Sequence, residues 1–99
     1  MGLLGEWRDE IRGDRLFNML TVLRTGAYRF YFWSHDLHEP PHIHVDRERF
    51  SAKFWLQPIA LARNIGFRAH ELRRIQAIIA GHLAELLEAW HGHFGVGGR

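Results

Sequence analysis

The chain has 99 residues, enough for one modest hydrophobic core and too few for two. Apolar residues make up 46% and charged residues 24%, with a formal net charge of +2, the balance of an ordinary soluble globular protein. No run approaches the roughly 20 apolar residues that a bilayer span needs, and the absence of cysteine excludes disulfides, thiolate nucleophiles and zinc–sulfur sites.

Residues 1–18 read as a separable N-terminal extension. Leu4, Trp7, Ile11 and Leu16 suggest a short amphipathic helix, which Gly5 and Gly13 weaken. The charges of Glu6, Arg8, Asp9, Glu10 and Arg12 break any apolar stretch that a signal peptide would need, so cytoplasmic residence is expected, with no membrane contact. From Met19 the pattern changes. Leu20 to Arg24 reads as a first strand, Thr25-Gly26 as a tight turn, and the aromatic run Tyr28 to Trp33 as a second strand. A polar loop from Ser34 to Pro41 ends in two stiff prolines. His42 to Asp46 and Phe50 to Leu56 read as further strands, with a short edge strand around Ile59 to Ala62. Leu72, Ile75, Ile79, Leu83, Leu86 and Trp90 then recur at three- and four-residue steps, the spacing of one helical face. Gly81 marks a bend in that helix, and residues 95–99 form a disordered Gly-rich tail. The expected fold is α+β: one domain over residues 19–94, a curved antiparallel sheet of three to five strands packed on one long C-terminal helix.

Strand alternation sorts the side chains into two faces. Phe30, Phe32, Ile43, Val45, Ala52, Phe54 and Leu56 fall on one, predicted to lie under the helix. Arg29, Tyr31, Trp33, His42, His44, Ser51, Lys53 and Trp55 fall on the other. An open face mixing cations with Tyr and Trp suits RNA or DNA, because bases stack on the rings while Arg and Lys meet phosphates. Arg29, Tyr31, Trp33, Lys53 and Trp55 are therefore the candidate partner-binding residues. The same aromatics would equally cover a second small core, closed by residues 1–18 or by the other subunit of a homodimer. A sequence pI near 9.7 permits an acidic partner without requiring one.

The chemistry-bearing segment is His38-Glu39-Pro40-Pro41-His42-Ile43-His44. His42 and His44, two apart on a strand, stand side by side. Together with His38 they are candidate ligands for a divalent metal, the one cofactor the sequence suggests, and Asp36, Glu39 or Asp46 offers a carboxylate. Without metal, His42 and His44 are candidate catalytic residues, a general acid and base for RNA cleavage or another hydrolysis. Both readings stand beside a plainer one, in which the imidazoles bond loop backbone and pack on Trp33 and Trp55.

Several segments in order resemble a known family. Thr21-Val22-Leu23-Arg24, Tyr28 to Phe32, Glu39 to Val45, Ala52 to Leu56, Gly66 to Arg73 and Leu86 to His91 are similar to the small bacterial family catalogued as domain of unknown function 4160. The resemblance runs from about Leu20 to Phe94, and the family's Pro-Pro-His-x-His hallmark falls on Pro40, Pro41, His42 and His44. It implies a cytosolic bacterial protein with a toxin–antitoxin-like gene context, binding a small cognate protein or nucleic acid. Two departures stand out. Relatives begin near Met19, and they commonly carry Ser where Arg68 stands, so the predicted helix lacks a good N-cap. The function expected is a binding module of toxin–antitoxin type working through the open sheet face. The alternative is a histidine-based hydrolase or ribonuclease.

Overall fold

The computed structural model describes residues 19–95. The helix expected within 1–18, and the tail from 96 onward, lie outside the described residues. Five strands, β1 (Met19–Thr25), β2 (Tyr28–Trp33), β3 (His42–Arg47), β4 (Phe50–Leu56) and β5 (Ile59–Ile65), pair antiparallel in sequence order as one sheet. Three of the four connections are two-residue turns, which place each strand directly beside its predecessor. Gly26, with φ 58°, takes the left-handed position of the β1–β2 turn at no steric cost. Glu48, with φ 56°, occupies the same region in the β3–β4 turn, where a side chain costs about 1–2 kcal/mol.

β5 continues to Ile65, three residues beyond the strand predicted there. A bulge explains why its pattern is hard to read. Phe54 pairs with Leu61 but Lys53 pairs with Arg63, so Ala62 is an extra residue that shifts the alternation. Beyond β5 the chain reverses at Gly66, φ 99°, where a Cβ would run into the Phe50 ring. Asn64 holds this corner: its Nδ2 donates to the Phe67 carbonyl at 2.9 Å, and its Oδ1 accepts the Phe67 N–H at 3.1 Å. Phe67 is thereby turned into the core.

The single long helix expected from the periodicity is two helices, α1 (Ala69–Gly81) and α2 (Leu83–Phe94). His82, at φ −123° and ψ 18°, leaves helical geometry between them, and its side chain meets Glu85 at 3.0 Å. The apolar stripe nevertheless runs on across the break: Ile75, Ile79, Leu86 and Trp90 are all buried. They pack against Phe30, Phe32, Ile43, Val45, Ala52, Phe54 and Leu56, the face that alternation assigned to the helix. Each of the Val, Leu, Ile and Phe side chains contributes about 1.5–3 kcal/mol on burial, and that preference decides which side of the sheet the helices cover.

Arg68 caps α1 without a side-chain hydrogen bond, in keeping with its poor match to that position. Glu71 secures the first turn instead. It accepts hydrogen bonds from Tyr28 Oη at 2.7 Å and from Arg47 Nε and Nη2 at 2.6 and 2.9 Å, joining α1 to β2 and β3. The Arg47 guanidinium, then the Tyr28 hydroxyl, hold its carboxyl down from the usual 4.5 to about 2.

Candidate functional site

Register confirms the second face of the sheet. Tyr31 lies opposite His44, His44 opposite Lys53, and Lys53 opposite Arg63. Arg24 stands opposite Arg29, and His42 opposite Trp55. The face therefore carries cations from β1, β2, β4 and β5, with imidazoles from β3 between them.

This face is less open than alternation alone suggests. Tyr31 is buried: His44 stacks on it with centroids 5.3 Å apart, Trp33 packs edge-on at 5.7 Å, and the Arg29 guanidinium lies 5.1 Å from its ring. Its hydroxyl donates to Asp46, and burial followed by the Asp46 charge pushes its pKa up to about 12. Arg29 is drawn toward the same carboxylate at 3.6 Å. Lys53 pairs with Glu39 and lies 4.6 Å from the Trp55 ring. Of the five candidate partner-binding residues, Arg29, Trp33, Lys53 and Trp55 remain part-exposed, and Tyr31 serves as packing beneath them.

The β2–β3 ladder ends at Tyr31–His44, so β2 and β3 separate toward the Ser34–Pro41 loop. Two groups fill the wedge. Trp90 of α2 enters from the helical side, 5.3 Å from Phe32 and 5.0 Å from His42. Asp36 enters from the loop, on a 3-10 turn at Asp36–His38. His42, predicted for the open face, is consequently fully buried, enclosed by Trp90, His44 and Trp55.

Asp36, His42 and His44 converge, with one ligand atom from each lying within 4.8 Å of the others. Asp36 Oδ2 accepts the Trp33 N–H at 2.8 Å and lies 3.2 Å from His44 Nε2. It also lies 3.0 Å from His42 Nε2, yet that nitrogen is misaligned for a hydrogen bond and has no hydrogen-bond partner among the described residues. His42 Nδ1, by contrast, meets the Pro40 carbonyl at 2.9 Å. Burial pushes the Asp36 carboxyl up, but the Trp33 amide and the two imidazoles outweigh it and hold it below the ordinary carboxylate range. Burial likewise keeps His44 below the usual imidazole value.

His38 does not join this cluster. It sits exposed at the end of the 3-10 turn, and Asp36 supplies the third donor in its place. Asp46 is likewise engaged elsewhere, with Tyr31 and Arg29. Sequence reasoning missed Trp90, whose spacing marks only the helix core face, and Arg63, whose alignment with Lys53 depends on the bulge at Ala62.

The family model described as Domain of unknown function (DUF4160) matches residues 27–91. Neither the curated proteins nor the solved structures give a match. The matched segment includes β2 through β5, α1, most of α2 and every residue of the Asp36–His42–His44 cluster. The chain belongs to the DUF4160 family.

Proposed function

We propose that the chain is a small cytoplasmic binding module of toxin–antitoxin type, engaging an acidic partner, single-stranded RNA, through the sheet face opposite the helices. The observation that carries this reading is the row of cations across that face: Arg24, Arg29, Lys53 and Arg63, one from each of four strands, with Trp33 and Trp55 part-exposed among them. Cations spaced across a sheet follow a phosphate backbone, and indole rings stack on bases at about 1–3 kcal/mol each. The carboxylates Asp46 and Glu39 temper the charge, so affinity rests on rings and cations together.

A histidine-based hydrolase is supported less well. The two imidazoles around Asp36 have the composition of an acid–base pair. His42 is 0% exposed and His44 7%, however, and both turn Nε2 toward Asp36. A substrate hydroxyl would reach them only after the Ser34–Pro41 loop had moved.

The test is fluorescence anisotropy with a labelled single-stranded RNA of mixed sequence. Lys53→Ala combined with Trp33→Ala should weaken binding roughly tenfold or more while the melting temperature changes little, and affinity should fall steeply with added salt. RNA that stays free at low salt would rule this partner out, as would a double variant that binds like wild type. Capture of a small cognate protein by RNA-free samples would move the face to a protein partner.

A further inference from the structure

We infer that Asp36, His42 and His44 form a binding site for a borderline divalent cation of the zinc class, which clamps the Ser34–Pro41 loop onto β3. The His42 ring is fully buried. A neutral imidazole carries one N–H and one bare nitrogen. Nδ1 lies 2.9 Å from the Pro40 carbonyl, an acceptor, so Nδ1 carries the proton and Nε2 presents its lone pair. That lone pair faces Asp36 Oδ2 at 3.0 Å, another acceptor, with no hydrogen bond between them. The opposite tautomer would set Nδ1 against the Pro40 oxygen and repel there. Two electron-rich atoms this close inside a protein call for a positive charge, supplied either by a second proton on the imidazole or by a metal ion between them.

Two of the three donor separations are those of ligands on one metal ion, and the third is under 4.8 Å. Ligands about 2.0–2.1 Å from a tetrahedral zinc stand roughly 3.3 Å apart. Asp36 Oδ2 is 3.0 Å from His42 Nε2 and 3.2 Å from His44 Nε2. Two imidazole nitrogens and one carboxylate oxygen match the preferences of zinc and of its neighbours nickel and cobalt. The supporting bonds are of the kind that orients metal ligands: Pro40 O fixes the His42 tautomer, and the Trp33 amide fixes Asp36. Because Asp36 comes from the loop and both histidines from β3, a shared ion ties the two together. The site shares the sheet face with the cations proposed to bind RNA but uses different side chains, so either assignment can fail without the other.

Zinc titration of chelator-stripped protein followed by calorimetry tests the site. Wild type should bind one Zn²⁺ per chain and gain melting temperature on doing so. Asp36→Asn keeps an acceptor for Trp33 N–H and leaves His35, His38, His70, His82, His91 and His93 in place. It should lower Zn²⁺ affinity at least tenfold, and His44→Asn should do the same. Equal affinity in wild type and either variant would assign the metal to surface histidines and overturn the proposal. If the variants do not fold, nitrogen NMR of wild type decides: one equivalent of Zn²⁺ should shift His42 Nε2 while Nδ1 keeps its proton. A His42 Nε2 resonance unmoved by Zn²⁺ refutes the site.

Discussion

Glu71 shows how one residue can substitute for a missing helix signal. With Arg68 unable to cap α1, the carboxylate in the first turn meets the positive helix end and is fixed by Arg47 and Tyr28. Its folded pKa, about 2, lies below the usual 4.5, so the folded state favours the charged form. The stability it contributes is present in full above about pH 4.5 and is lost as pH falls toward 2. In urea denaturation, Glu71→Gln should therefore be less stable than wild type by a constant margin above pH 5. The margin should narrow through the window from about 4.5 down to 2. A margin independent of pH would show that Glu71 acts through shape and not through charge. None of this was legible in the sequence, where Glu71 reads as part of an ordinary charged helix face, because its partners lie 24 and 43 positions away.

At the scale of elements, local pattern predicted most of what formed. The four strands from Met19 to Leu56 and their turns follow from alternation and from Gly26, both short-range signals. The helical periodicity reads as one helix because the apolar stripe passes through the break unchanged, and only the backbone at His82 interrupts it. Gly81 ends α1 with open space where a Cβ would stand. Gly81→Ala should accordingly stabilise the protein by about 0.5–1 kcal/mol in chemical denaturation, through helix propensity alone. A destabilised variant would instead mean that the bend at this position needs glycine.

The whole molecule is held by a few residues that join layers, and Trp90 is the clearest. Its ring touches Phe32 on one side of the wedge, His42 on the other, and Phe94 along α2. Trp90→Ala should cost about 3–5 kcal/mol, measured by urea denaturation, since it opens a cavity that the rigid strands cannot close. A loss below about 1 kcal/mol would mean that α2 contributes little to holding β3 in place.

What the sequence determined by itself was the α+β class, the identity of the strands and the division of the sheet into an apolar and a mixed face. Those follow from periods of two and 3.6 residues, which are properties of neighbouring positions. The pairing of His42 with His44 was equally local, two residues apart on one strand. Tertiary structure decided the rest: that Asp36 and not His38 completes their cluster, that Trp90 buries His42, and that Arg63 aligns with Lys53. Each of these depends on where separate segments meet, on the path of the Ser34–Pro41 loop, the early end of the β2–β3 ladder and the bulge in β5. Such meetings are set by competition for space in a shared core, and no spacing along the chain records them.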